Sequence, residues 1–77
     1  MIRVLYFSIL RERIGPEEEI AFSGSVAQLR ELLSNRHPHV GEIFQRVRFA
    51  VNEEYVTDDF TLKGDETVAV IPPVSGG

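Results

Sequence analysis

Residues 71–77, Ile-Pro-Pro-Val-Ser-Gly-Gly, are the segment whose residue types and order most directly suggest chemistry. Pro72 and Pro73 have no backbone N–H to donate to a sheet, and both favour an extended conformation. We therefore expect them to end a strand and to lead residues 72–77 away from the domain as a flexible tail. Fully extended, this tail would reach about 20 Å.

The end of the tail carries the candidate reactive group. Gly76 and Gly77 can enter a narrow channel that any Cβ would block, because they have no side chains. Val74 and Ser75 would position them, and the group that arrives is the Gly77 carboxylate. A carboxylate becomes an acyl donor once ATP converts it to an acyl-adenylate, which a sulfur nucleophile turns into a thiocarboxylate and an amine into an amide. The tail is therefore predicted to be a substrate for another protein's active site.

Composition restricts the classes of function. The 77 residues suffice for one domain with one core layer and leave little room for a deep catalytic cleft. A net charge of −4, with basic residues interleaved among acids, argues against a nucleic-acid partner. No apolar run is long enough to span a membrane, and the N-terminus lacks a signal segment. Without cysteine there is no thiol nucleophile or thiolate metal site, so we expect a cytoplasmic protein that binds no metal or cofactor.

The N-terminal half predicts two strands and the main helix. Residues 1–10, MIRVLYFSIL, are apolar at nearly every position, which is typical of a central strand. EEIAFS at 18–23 predicts a second strand, joined to the first by a hairpin turn at Gly15–Pro16. Residues 25–38 predict a helix that begins with a capping box, Ser25 with Gln28, and is ended by Pro38. The residues that share its apolar face are Val26, Leu29, Leu32 and Leu33.

The C-terminal half predicts three more strands. VRFAVN at 47–52 and EYVT at 54–57 flank a turn, LKGDE at 62–66 forms another turn, and TVAVIP at 67–72 is the last strand. A short helical turn is expected within 40–47. The order β-β-α-β-β-β, with the most apolar strands at the two ends, places those strands side by side in mid-sheet. The prediction is a single α+β domain over residues 1–77, a ubiquitin-like β-grasp fold with a mixed sheet and one main helix across one face.

Strand alternation assigns the two faces of this sheet. Arg3 interrupts the apolar run of the first strand, so the face that it shares with Phe7 is assigned as the one without a helix. In the last strand the same alternation turns Val68 and Val70 toward the helix and places Ile71 on the open face.

Several motifs resemble the small subunit of molybdopterin synthase, a ubiquitin-like sulfur carrier of molybdenum cofactor biosynthesis. They are VLYFSILRERIG at 4–15, the strand edge AVN at 50–52, and LKGDETVAVIPPVSGG at 62–77. A terminal Gly-Gly also occurs in ubiquitin and in the thiamine sulfur carrier. The GDE turn followed by PPVSGG is the more specific part of the resemblance.

The resemblance implies a cycle of sulfur transfer. An adenylating enzyme of the ubiquitin-activating class would use ATP to adenylate Gly77, and a sulfur donor would convert the adenylate to a thiocarboxylate. The carrier would then insert its tail into the large synthase subunit and donate sulfur to cyclic pyranopterin monophosphate. In the family, two carriers and a central dimer of large subunits form a heterotetramer. The chain would not be catalytic alone, and it would bind no cofactor itself.

The resemblance also implies a partner-binding face. By position it comprises Phe7, Tyr55 and Ile71, with Val74 leading into the tail; Tyr55 stands where the family commonly has an aliphatic residue. Two other functions stay open. One is the same carrier chemistry with another acceptor, such as thiamine, a transfer RNA or a protein lysine. The other is a β-grasp binding module without chemistry.

Charged residues elsewhere are interpreted as structural or solvated. His37 and His39 flank Pro38 but lack a third metal ligand, so they are expected at the surface near the helix end. The glutamates at 17–19 and the aspartates at 58–59 are expected in solvent. The Asp-Glu pair at 65–66 follows a turn glycine and needs no catalytic role.

Overall fold

A computed structural model of the chain describes residues 1–73 and shows a mixed sheet with one main helix across it. The strands are β1 (Ile2–Tyr6), β2 (Glu17–Ile20), β3 (Gly24–Ser25), β4 (Arg48–Val51), β5 (Glu54–Val56), β6 (Thr61–Leu62) and β7 (Thr67–Ile71). The helices are α1 (Ser8–Arg13), α2 (Val26–Arg36) and α3 (Gly41–Phe44), with a 3₁₀ turn at Pro38–Val40 before α3. This architecture confirms the predicted α+β, ubiquitin-like class.

The main sheet has the strand order β2-β1-β7-β4-β5. Its two central strands, β1 and β7, run parallel, with Arg3 opposite Thr67 and Tyr6 opposite Val70. The other pairs in this sheet are antiparallel, and β3 pairs with β6 in a separate two-stranded sheet. The predicted adjacency of the first and last strands is therefore confirmed. It places the strand that precedes the tail at the centre of the sheet.

Helix α2 packs across one face of the sheet, as its pattern predicts. Its N-terminus has the full capping box: Gln28 N–H donates to Ser25 Oγ, and Ser25 N–H donates to Gln28 Oε1. Leu29 and Leu33 are completely buried, and each contributes about 1.5–3 kcal/mol relative to an exposed side chain. The side chains of the central strands that face α2 are also buried: Ile2, Val4, Tyr6, Val68 and Val70.

The segment after β1 differs from the prediction. We predicted a strand through residue 10 and a simple hairpin turn, but β1 ends at Tyr6 and Ser8–Arg13 is helical. Ser8 has a φ of 55°, which reverses the chain, and Leu10 is then completely buried. Gly15, with a φ of 133°, follows the end of α1 and leads into β2. The predicted antiparallel pairing of the first two strands is confirmed, but the tight hairpin between them is wrong.

The turn between β4 and β5 is a tight hairpin at the predicted place. Asn52 and Glu53 have φ values of 50° and 72°, the left-handed conformation that matches the twist of paired strands. It places Tyr55 opposite Ala50 across the β4–β5 pair. In the described part of the chain, none of the helices is both long and apolar enough to cross a membrane.

Candidate functional site

The root of the tail is held by the centre of the sheet. β7 ends at Ile71, just before the two prolines, although the predicted strand included Pro72; it is paired with β1 on one side and β4 on the other. Pro72 is still buried, and Pro73 is the first exposed residue after the strand. The two prolines line a shallow hollow whose other walls are Ile9, Glu42, Ile43 and Arg46. The chain therefore separates from the body one residue later than predicted, since Pro72 packs against the body.

The remaining tail positions lie outside the described residues. These are Val74, Ser75, Gly76 and Gly77, the last of which carries the predicted reactive carboxylate. Their roles stay predictions. What the structure supplies is the place and the strand from which they extend.

The open face of the sheet brings together the three residues predicted to bind a partner. Phe7, Tyr55 and Ile71 line one shallow hollow, and its floor and edge are completed by Ala50, Ala69 and Glu53. Phe7 is 42% exposed and Tyr55 58% exposed, which is unusual for large apolar side chains. We call this hollow the open-face patch. Since Ile71 also ends the strand that precedes the tail, the open-face patch adjoins the root of the tail.

Arg48 at the edge of the open-face patch was not singled out by sequence reasoning. Its guanidinium carbon lies 4.2 Å from the centroid of the Tyr55 ring, in cation–π geometry. In the β4–β7 pair, Arg48 lies opposite Ile71, so the cation sits next to the root of the tail. Strand alternation could have placed Arg48 on the open face, since Arg48 and Ala50 are two residues apart in one strand and therefore lie on the same side of the sheet.

The carboxylate of Glu66 organises the turn that leads into β7. It accepts backbone N–H bonds from Lys63 at 2.8 Å, Gly64 at 2.9 Å and Asp65 at 3.1 Å. These bonds, that of Lys63 foremost, lower the pKa of Glu66 from 4.5 to about 2. The Gly-Asp-Glu motif therefore has a structural role here: it fixes the start of the strand that carries the tail.

Glu18 contradicts the expectation that the glutamates at 17–19 are solvated. Tyr6 Oη donates to Glu18 Oε2 at 2.5 Å, Arg36 Nε donates to Oε1 at 2.7 Å, and His37 Nε2 donates to Oε2 at 2.7 Å. Partial burial opposes the ionisation of Glu18, but these bonds outweigh it and leave the pKa of Glu18 below its ordinary value. Burial and the bond to Glu18 raise the pKa of Tyr6 well above its usual range.

His37 is likewise not the surface residue that we expected. Its side chain is 16% exposed, and its ring stacks on Phe44 and meets Tyr6 edge-on. Asp58 is exposed, as expected, and it also accepts a bond from Arg30 Nη2 at 2.8 Å. Within residues 1–73 no group of three His, Asp or Glu side chains is arranged to hold a metal ion.

Comparisons with known proteins give a consistent family. A family model described as the ThiS family matches residues 4–77. The molybdopterin synthase sulfur carrier subunit of Chlamydomonas reinhardtii is 40% identical over 81 residues, which cover 99% of this chain and 98% of that protein. A structure from Pyrococcus furiosus, assigned as molybdopterin converting factor subunit 1, is 32% identical with a TM-score of 0.75, covering 95% and 97% of the two chains.

A further structure shares the fold. It comes from the protein–protein complex of subunits 1 and 2 of molybdopterin-converting factor of Helicobacter pylori 26695. The matched chain is 22% identical with a TM-score of 0.71, and the superposition covers 99% of this chain and 97% of that one. This is a likeness of architecture.

Proposed function

The chain belongs to the ThiS family, and from this premise we propose that it is the sulfur carrier subunit of molybdopterin synthase in molybdenum cofactor biosynthesis. The observation that carries the proposal is the position of the tail root. The central strand β7 ends at Ile71, directly beside the open-face patch. One partner could therefore bind the open-face patch and receive the tail at the same time.

The proposed chemistry takes place at Gly77. A carboxylate oxygen attacks the α-phosphate of ATP in an adenylating enzyme, and pyrophosphate leaves. Sulfide-level sulfur (HS−) then attacks the acyl carbon, the bond to AMP breaks, and a thiocarboxylate remains. In the large subunit the thiocarboxylate sulfur attacks a carbon of cyclic pyranopterin monophosphate and displaces an oxygen substituent from it. Water then hydrolyses the acyl–sulfur bond, which leaves the sulfur on the pterin and returns the Gly77 carboxylate. ATP is consumed by the adenylating enzyme, and the carrier itself binds no cofactor.

The proposed partners are an adenylating enzyme of the ubiquitin-activating class and the large subunit of molybdopterin synthase. The Helicobacter pylori structure is described as a complex of subunits 1 and 2 of molybdopterin-converting factor, which supports a large-subunit partner for a chain of this architecture. By analogy with the family, we propose a heterotetramer of two carriers and two large subunits. A chain without cysteine suits the reducing cytoplasm, where we place the reaction.

The test is the intact mass of the protein before and after incubation with ATP, the adenylating enzyme and a sulfur source. We expect a gain equal to the replacement of one oxygen by sulfur, located at Gly77 by fragmentation. A variant that lacks Gly76 and Gly77 is the matched control and should show no gain. An unchanged mass of the full chain, with an enzyme shown to be active on another carrier, would contradict the proposal.

A product in which the chain is joined to a lysine would point to protein modification instead. A thiocarboxylate that forms but does not support molybdopterin synthesis with the large subunit would point to another acceptor. Support of molybdopterin synthesis by the variant without Gly76 and Gly77 would exclude carrier chemistry altogether.

A further inference from the structure

The open-face patch has an unpaired charge at each of two opposite ends. Arg48 lies at the end where the tail leaves, and among residues 1–73 no carboxylate lies within ion-pair distance of it. Glu53 lies at the other end, in the turn after β4, and lines the patch. Within the described residues it too has no cationic partner. Along β4 the two positions are about 10 Å or more apart.

The charges at the opposite edge of the same sheet behave differently. Arg3 and Glu17 lie on neighbouring strands and form an ion pair of 3.4 Å, so the cation at that edge already has a partner within the chain. The patch end of the face thus holds a separated cation and anion, whereas the distant edge holds a compensated pair. A partner's charges would meet Arg48 and Glu53 without competition from an internal ion pair.

Arg48 is also held in place before any partner arrives. Its guanidinium lies over the Tyr55 ring, and an arginine in cation–π contact can still donate its N–H groups to a carboxylate. An arginine ordered in this way loses less side-chain entropy on binding than a free one. Tyr55 therefore does more than add apolar area, because it also positions Arg48.

We infer that Arg48 and Glu53 set the orientation in which the carrier docks, and this inference rests on the proposed function. The partner surface that fits has an apolar centre, a carboxylate opposite Arg48 beside the tail's entrance, and a cationic side chain opposite Glu53. In this orientation the tail points into the partner's pocket. Turned by half a revolution, the same apolar contact would bring like charges together, which costs affinity and discriminates against the wrong arrangement.

The experiment measures binding of the full chain to its cognate large subunit at several salt concentrations, with association and dissociation rates. For Arg48→Glu we expect an affinity at least tenfold lower, mainly through slower association, with a weaker dependence on salt. Glu53→Lys should act in the same direction. Arg48→Lys should lie between, because it keeps the charge and loses the planar stacking.

The matched control is Arg13→Glu. It makes the same change of charge at an exposed position that lines a hollow with Pro38 and His39, on the side of the sheet that carries the helices. It should bind like the wild type. If Arg48→Glu and the wild type have equal affinity and salt dependence, the inference is overturned. It is equally overturned if Arg13→Glu weakens binding as much, because the effect would then be one of net charge.

Binding of the wild-type carrier distinguishes a failure of the proposed function from a failure of the orienting role of Arg48 and Glu53. Failure of the wild-type carrier to bind the large subunit would overturn the proposed function, and the orientation inference with it. Binding of the wild type with no response to charge reversal at Arg48 and Glu53 would leave the carrier function intact and remove only their orienting role. Thermal melting of each variant checks that the fold is unchanged.

Discussion

Glu66 shows how much one carboxylate can contribute to a turn. Its oxygens accept three backbone N–H groups that would otherwise have to bind water, in the manner of a side chain that caps a helix. Because the pKa of Glu66 is lowered to about 2, the ionised form is the one that the folded state prefers. The stabilisation is therefore fully present above the ordinary pKa of 4.5 and is lost as the pH falls toward 2.

Glu66→Gln should lower the free energy of unfolding by about 1 kcal/mol at pH 7, since an amide oxygen is a weaker acceptor than a carboxylate. The difference from the wild type should shrink as the pH falls through 4.5 toward 2, where the wild-type carboxylate also becomes neutral. Urea unfolding at a series of pH values measures both effects. Asp65→Asn, an exposed neighbour, is the control and should change little. A pH-independent difference would remove the charge from this explanation.

At the scale of elements, Glu18 ties the end of α2 to the edge strand β2. The tie joins Tyr6 of β1, Arg36 at the end of α2 and His37 just after it. Since the pKa of Glu18 is below its ordinary value, its contribution to stability is present above that value and is lost as the pH falls through the folded-state pKa. The last turn of α2 should therefore loosen first in acid.

Glu18→Gln should lower the free energy of unfolding by about 1–2 kcal/mol at pH 7, because Arg36 and His37 lose a charged acceptor. Hydrogen exchange should locate the loss in the last turn of α2 and in β2, and the rest of the sheet should be less affected. Glu19→Gln serves as the control, since Glu19 is next to Glu18 in the same strand and is exposed. Equal protection of α2 in both variants would show that Glu18 is not the tie that we describe.

The elements that were predicted correctly are those whose local residue patterns agree with their packing in the fold. The capping box of α2, Pro38 after its end, and the apolar strands β1 and β7 are signals that no tertiary contact had to correct. Helix α1 was missed because serine is not a residue type that predicts a positive φ, as Ser8 has here. The apolar residues around it also continue the strand pattern. Ile14 four residues after Leu10, followed by Gly15, was the available sign of a short helix.

The candidate site likewise has a part that could be predicted from the sequence and a part that could not. Alternation places Phe7 and Ile71 on one face, so this part of the open-face patch could be read from strand parity. Contacts between distant segments could not be predicted from strand parity. Glu18 meets His37 only because β2 lies beside the end of α2, and nothing local distinguishes it from its solvated neighbours. The stacking of Arg48 on Tyr55 likewise needs the register of β4 with β5, which the pattern alone does not supply.

At the scale of the whole molecule, the open-face patch should be the surface through which the carrier binds the large subunit. Phe7→Arg or Ile71→Arg should weaken binding at least about 100-fold, because an unpaired charge would be buried in an apolar contact. Calorimetry with the large subunit measures the loss. Phe60→Arg is a close control, since Phe60 is 39% exposed and its carbonyl accepts a bond from Val26 at the start of α2. Undiminished affinity of the Phe7 and Ile71 variants would remove the docking face from this account.

The parallel pairing of β1 with β7 also has a consequence for how the protein is made. β1 can pair with β2 early, but its other partner, β7, is synthesised only near residue 70, so the centre of the sheet cannot close during most of translation. A chain interrupted before β7 lacks the middle of its sheet and should be removed by proteases rather than accumulate. Folding therefore selects for complete chains: a chain whose synthesis stopped short of the tail root should be degraded, so that the molecules that remain folded are those that carry the tail.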